Sequence, residues 1–222
     1  MPLILEILVS PRPHSVSRRV AQEIVERIAE RHPGARIVER DLAADPPPHP
    51  NRNLYEAILS PTPDDDRRFA LSERLIGELE TADYVVIGTP MNNFTVPSTL
   101  KAWIDHIVRI RRTFVSTPQG KIGLLRDRPV IVVSGHGGYC GSAPPAQPDF
   151  LTPYLAAIFA TIGIHQVEFL RLEGIARGPE ALASALDKAR GWIDETLPGL
   201  LRRRAGDPDG RAMLGTHSAI TS

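Results

Sequence analysis

Three short polar stretches, each following an apolar run, carry the residues best suited to bind a ligand. The first holds Ser10, Ser15, Val16 and Ser17, with Arg12 and His14 among them. Ser15 and Ser17 stand where a helical pattern begins, and a helix N-terminus offers free N–H groups and partial positive charge to an anion such as phosphate. Serine hydroxyls add donors; the plainer alternative is that Ser15 only caps the helix. The second stretch is Met91-Asn92-Asn93-Phe94. Its amides and asparagine side chains could line the edge of a flat heterocycle, or could form an ordinary strand-to-helix turn. The third is Ser134-Gly135-His136-Gly137-Gly138, where glycine permits close backbone approach to a ligand. It is not a G-x-G-x-x-G fingerprint, and no phosphate-binding lysine loop occurs in the chain.

The side chains that could do acid–base or nucleophilic work are sparse. His136 reads as a solvated loop histidine in preference to a proton carrier, and His106 as a surface or interface residue. Cys140 reads as an inert thiol without a basic partner. No Ser-His-Asp order, H-E-x-x-H pair or His/Cys metal spacing is present. A site rich in backbone donors and poor in such side chains suits a protein whose cofactor carries the chemistry.

Periodicity sets the elements that must position these stretches. Residues 3–9 are almost wholly apolar, as in a parallel strand covered on both faces. Val16, Val20, Ile24 and Ile28 mark the buried stripe of a helix that ends near His32-Pro33-Gly34. A mixed strand over 36–42, with Ile37, Val38 and Leu42, reads as an edge. Residues 43–67 are Pro-rich and irregular, with a short helix over 54–59 and prolines as far as Pro61 and Pro63; so long a loop is usually functional or disordered. A helix over 69–79 feeds the apolar run Tyr84-Val85-Val86-Ile87. Pro97 then opens an amphipathic helix with Leu100, Trp103, Ile104, Ile107 and Val108 on one stripe, and Ser98 or Thr99 as capping candidates.

Residues 113–127 read as irregular, 129–133 as a buried strand, 152–162 as a helix stopped by Gly163, and 167–172 as a strand. One closing helix spans 179–201, and the stretch from Ala205 onward reads as a disordered tail, which leaves 1–202 as one domain and 203–222 as tail. The alternation of strand and helix predicts an α/β fold, a doubly wound five-stranded parallel sheet with helices on both faces. In the common order 2-1-3-4-5 the first, third and fourth strands are neighbours, with the switch point between the first and third. The three polar stretches follow those strands, so they are expected to converge on one rim.

Bulk properties narrow the classes of partner. With 26 basic and 26 acidic residues there is no net field to favour nucleic acid or an anionic membrane. A single cysteine rules out an internal disulfide. No apolar run approaches a membrane span, and the first residues read as a strand and lack a basic leader, so a soluble cytoplasmic protein is expected.

The second stretch and its continuation, Pro90-Met91-Asn92-Asn93-Phe94 with Pro97-Ser98-Thr99-Leu100-Lys101-Ala102-Trp103-Ile104-Asp105, resemble the signature of bacterial FMN-dependent NADH azoreductases. These are flavodoxin-like NADH:quinone oxidoreductases. Arg40-Asp41-Leu42-Ala43-Ala44, Thr113-Phe114, Thr152-Pro153-Tyr154-Leu155, Glu173-Gly174-Ile175-Ala176 and Gly178-Pro179-Glu180 support the likeness, which runs from about residue 3 to about residue 200. The resemblance implies a flavodoxin-like homodimer with one FMN per subunit and active sites at the interface, to which the Trp103 helix is expected to contribute. It implies an enzyme in which NADH or NADPH reduces the flavin and leaves, after which a quinone or azo compound takes up two electrons. Carried over by position, phosphate contacts fall on Ser10, Ser15, Val16 and Ser17. Flavin-ring contacts fall on Met91, Asn92, Asn93, Phe94 and on Ser134, Gly135, His136, Gly137 and Gly138.

The chain departs from the family pattern twice. Asn92 stands where the family has tyrosine, and the usual S-R-G-G loop reads as one residue longer here, without the arginine. Two other readings remain open at the level of sequence: a flavodoxin-type electron carrier, which usually has an acidic face that this neutral chain lacks, and an FMN-binding module with no substrate of its own.

Overall fold

β1 (Leu3–Leu8) is buried at every position, because both faces of the strand are covered. Ile4 and Leu8 join one apolar cluster, while Leu5 and Ile7 join another on the opposite side. The computed structural model describes residues 1–60, 67–141 and 146–202; the expectations for Pro61, Pro63 and the tail beyond Ala205 fall outside them.

The remaining elements follow in the expected alternation. They are α1 (Val16–Arg31), β2 (Arg36–Asp41), α2 (Arg52–Leu59), a 3-10 turn (Arg67–Phe69), α3 (Ala70–Thr81), β3 (Tyr84–Pro90) and α4 (Ser98–Ile107). Then come β4 (Phe114–Thr117), β5 (Gly120–Gly123), β6 (Val130–Gly135), the two-residue β7 (Tyr139–Cys140) and β8 (Ala146–Gln147), α5 (Leu151–Ile162), β9 (Val167–Leu172), α6 (Pro179–Glu195) and α7 (Leu197–Arg202). The main sheet has five strands in the order β2-β1-β3-β6-β9, all parallel. Numbered within this sheet alone, that is 2-1-3-4-5.

The two faces of the sheet carry separate cores. α1, α6 and α7 cover one with Val20, Ile24, Ile28, Ala189, Ile193 and Leu201; α3, α4 and α5 cover the other with Leu75, Leu79, Trp103, Ile107 and Phe159. Each fully buried large apolar side chain contributes roughly 1.5–3 kcal/mol, so either layer alone outweighs any surface pairing. Trp103 is only 1% exposed and belongs to the chain's own core; α4 shows Ser98 and Lys101 to solvent, the latter paired with Asp105 at 2.6 Å.

Several expectations need correction. Residues 113–127 include a β-hairpin: β4 and β5 pair antiparallel, and Thr117 Oγ1 closes the turn by donating to the Gly120 carbonyl at 2.8 Å. The closing helix is two helices, because Pro198 cannot donate to the Asp194 carbonyl and its ring crowds that turn. Pro97 is the cap residue of α4, and neither Ser98 nor Thr99 caps it. His106 is buried, with Nε2 2.9 Å from the Pro48 carbonyl. Arg111 donates to the Ile58 and Ser60 carbonyls at the end of α2, so the described part of the Pro-rich stretch is tied down on the α4 side.

Charged groups also lie inside, Arg128 and Glu6 among them. Arg128, 1% exposed, donates to the carbonyls of Leu79, Ala82 and Arg126 and so serves the open C-terminal end of α3. Glu6, in mid-β1, sits opposite Glu39 of β2 in register, and its Oε1 is buried with no hydrogen-bond partner. Burial, then repulsion from Glu39 and Glu26 against the opposing pull of Arg18, pushes its carboxyl up to about 7. The folded state therefore holds a proton that the unfolded chain releases near pH 4.5. Stability from this group is full below that value and lost as pH rises through about 7, by up to about 3 kcal/mol. Glu6→Gln is expected to gain stability over the parent at pH 8 and to match it near pH 5, measured by urea unfolding at both values.

Candidate flavin-binding rim

Where β1 ends, Ser10 is 2% exposed, and the turn of residues 11–14 lies at the surface. The Ser15 N–H closes that turn on the Arg12 carbonyl at 3.0 Å. Ser15 is the N-cap of α1, its Oγ accepting from the Arg18 N–H at 3.5 Å and lying 3.1 Å from Ser17 Oγ. The N–H groups of Val16 and Ser17 are in the first turn, which an α-helix leaves without internal partners.

Gly88 of β3 seats this turn on the sheet. A Cβ there would lie 2.9 Å from both the Ser17 carbonyl oxygen and Ala21 Cβ, so only glycine lets α1 come this close. A Cβ on Gly135 would lie 3.8 Å from Ser17 Oγ, and the Met91 N–H donates to the Gly135 carbonyl at 2.8 Å. The three stretches that the sequence singles out thus meet at the carboxyl ends of β1, β3 and β6, at the switch point between β1 and β3.

The second stretch is a tight turn. Asn92 and Thr95 exchange backbone hydrogen bonds at 2.9 and 3.0 Å, and the central pair Asn93 and Phe94 both take positive φ, 47° and 68°. This is the backbone of a type I′ turn. Phenylalanine rarely adopts that conformation, and such strain collects at ligand-binding loops. The Phe94 carbonyl accepts the Phe150 N–H at 2.9 Å. Asn92, Asn93 and Phe94 are exposed and Met91 is half-buried.

The third stretch behaves differently from expectation. His136 is fully buried, not solvated. Its Nε2 lies 2.8 Å from Ser134 Oγ and its Nδ1 3.2 Å from Cys140 Sγ. Burial, partly offset by Asp149 and Glu173, holds the imidazole below its usual value, and burial likewise pushes the Cys140 thiol up. The cysteine does have a basic neighbour, but the pair is neutral imidazole and neutral thiol, which is a brace and not a nucleophile. Ser134, Gly135 and Gly138 are buried too, and Gly137 is exposed.

Sequence reasoning missed what secures this loop. The N–H groups of Gly174, Ile175 and Ala176 donate to the carbonyls of Gly138, His136 and Gly137 at 3.0, 3.1 and 3.2 Å. It also missed a clamp under the first stretch. Arg18 Nη2 donates to the Ser10 carbonyl at 3.0 Å and to Asp41 Oδ2 at 2.8 Å. Burial raises the Asp41 carboxyl, but bonds from Arg18 and from the Ala44 and Ala43 N–H groups outweigh it and hold Asp41 below the usual carboxylate range.

The donor set therefore fits a phosphate-bearing heterocycle: N–H groups and serine oxygens at the head of α1, and an exposed turn plus Gly137 along one side. Comparison with known proteins agrees. A family profile described as flavodoxin-like fold matches residues 3–197. FMN-dependent NADH:quinone oxidoreductase 2 of Cupriavidus pinatubonensis is 48% identical over 197 residues, 86% of this chain and 96% of the relative. The chain belongs to this flavodoxin-like family of FMN-dependent NADH:quinone oxidoreductases and azoreductases.

A second family member, FMN-dependent NADH:quinone oxidoreductase 4 of Pseudomonas fluorescens, is 46% identical over 188 residues, 84% of this chain and 91% of the relative. Among solved structures, an FMN-dependent NADH-azoreductase from Bacillus anthracis in complex with FMN is similar at a TM-score of 0.74 and 26% identity, covering 87% of this chain and 98% of that one. The geometry of the rim depends on the contact at Gly88. Gly88→Ala is expected to cost about 1–3 kcal/mol, as overpacking against backbone does. Gly77→Ala, in a helix with open space around the new Cβ, should be neutral or gain up to about 1 kcal/mol. Urea unfolding of the two variants side by side checks the contrast.

Proposed function

We propose that this protein is an FMN-dependent oxidoreductase that passes electrons from NADH or NADPH to quinones or aromatic azo compounds. The observation that carries the reading is the convergence of the three stretches on one rim, with a helix N-terminus at one side and an exposed strained turn at the other. When bound, FMN would supply the two-electron redox chemistry between the nicotinamide and the acceptor.

The chain's own residues bind and orient. Ser15, Val16 and Ser17 would hold the phosphate through hydroxyl and N–H groups; Met91, Asn92, Asn93, Phe94 and Gly137 would line the ring. Ser10, Ser134, Gly135, His136 and Gly138, buried as they are, shape the floor and fix the loops. No side chain is assigned as nucleophile or proton carrier, which accords with the neutral state of His136 and Cys140.

The same reading makes residues 1–202 the FMN-binding domain and the protein a homodimer with the sites at its interface. Phe94 and Phe150, hydrogen-bonded to each other through their backbones, are 45% and 60% exposed beside the rim; a second copy that covers them would bury costly apolar surface. It also locates the protein in the cytoplasm. Among the described residues no helix is long and apolar enough to cross a membrane.

Two measurements test this reading. Ser17→Ala combined with Asn93→Gly, which keeps the positive φ, should leave a folded protein whose affinity for FMN is at least about tenfold weaker, a loss on the scale of one or two hydrogen bonds. Undiminished flavin content in that variant would move the site elsewhere. Steady NADH consumption that requires an added quinone is expected of the enzyme; one stoichiometric reduction without turnover is the behaviour of an electron carrier.

A further inference from the structure

We infer that Arg18 is a positioning residue for the phosphate end of the site: its guanidinium ties the Ser10 carbonyl and the Asp41 carboxylate together behind the first turn of α1. The inference rests on the reading that the rim takes FMN, and deepens it by naming what makes the first turn selective for an anion.

The position of Arg18 is unusual for a helix residue. Its backbone N–H is satisfied by the N-cap Ser15 Oγ, and its side chain turns back toward the loop that enters the helix. A single nitrogen, Nη2, serves two acceptors: the Ser10 carbonyl at 3.0 Å and Asp41 Oδ2 at 2.8 Å. The Arg18 side chain is 16% exposed and that of Asp41 20%, so both charges are largely withdrawn from water. Asp41 Oδ1 is taken by the Ala43 and Ala44 N–H groups at 2.8 and 3.1 Å. One guanidinium thus links the end of β1, the head of α1 and the end of β2.

Arg18 also pays an unusual cost for this placement, since its Nε is buried with no hydrogen-bond partner. Electrostatics supply the reason for keeping it. The Arg18 hydrogen bond and charge help to hold the Asp41 carboxyl below the usual carboxylate range against its burial. Without that charge, the Ser10 carbonyl and the Asp41 carboxylate would stand uncompensated beside a site meant for an anion. With it, the Asp41 charge is neutralised and the Ser10 carbonyl is already bonded. The positive end of α1 is then free to act on the phosphate.

Riboflavin, which is FMN without its phosphate, separates this role from a merely structural one. Full-length apoprotein would be titrated with FMN and with riboflavin, following quenching of flavin fluorescence, for the parent, Arg18→Met, Arg18→Lys and the double variant Arg18→Met/Asp41→Asn. The parent is expected to bind FMN more tightly than riboflavin. Arg18→Met should weaken FMN about ten- to a hundredfold, the scale of hydrogen bonds to a charged group, and riboflavin by less than about threefold. Adding Asp41→Asn, which removes the uncompensated charge, should restore part of the FMN affinity, and Arg18→Lys should retain an intermediate preference. If Arg18→Met destabilises the fold, the lysine variant and the double variant carry the same comparison. An unchanged ratio of FMN to riboflavin affinity in the folded arginine variants overturns the inference. A parent protein that binds both flavins equally also overturns the inference, because the phosphate then adds nothing; one that binds neither overturns the flavin reading itself, which is a different result.

Discussion

The first turn of α1 can reach the rim only because Gly88 has no side chain. At that point the helix lies on β3 with the Ser17 carbonyl and Ala21 Cβ both 2.9 Å from where a Cβ would be. Everything that makes the rim a site follows from the approach. The helix N-terminus comes level with the ends of β3 and β6, Ser17 comes beside Gly135, and Gly135 in turn holds Met91. A helix lifted by the size of one methyl group would keep the fold but separate the head of α1 from the loops at Met91 and Gly135. The parallel sheet sets the direction of the strands, and this contact sets the distance across the site.

Around that contact, polar groups are buried where they hold backbone in place. His136 braces the third loop between Ser134 and Cys140, and Gly174, Ile175 and Ala176 lace it to the segment after β9. Asp149 does similar work at the head of α5, accepting from the Leu151 and Thr152 N–H groups at 3.0 and 2.9 Å. The exposed turn at Asn93 and Phe94 is strained, and the Phe150 N–H holds it in place through the Phe94 carbonyl. A rigid floor beneath an exposed, strained turn accords with a cofactor held largely by backbone groups, where geometry matters more than side-chain acidity.

The main sheet was legible because fully buried parallel strands are apolar runs, and Tyr84, Val85, Val86 and Ile87 or Val130, Ile131, Val132 and Val133 cannot be mistaken for loops. The rim was legible for a topological reason: the polar stretches follow the three strands that the common order makes neighbours. The hairpin of β4 and β5 was not, since Ser116, Thr117, Gly120 and Lys121 give no hydrophobic alternation. Nor was the burial of His136, because its loop is glycine-rich and reads as open, whereas its imidazole finds partners on both nitrogens. The link between Arg18 and Asp41 joins residues that are 23 positions apart, and no local pattern announces it. Periodicity speaks for elements; it is silent about polar pairs that form only after the elements have packed.

The central claim is that this rim holds FMN and that the flavin is reducible by NADH. The direct test is the visible absorption spectrum of the protein purified without added cofactor, recorded before and after NADH is added under nitrogen. A yellow protein with flavin bands that bleach on addition of NADH is the predicted result. A colourless protein that also fails to take up added FMN would contradict it.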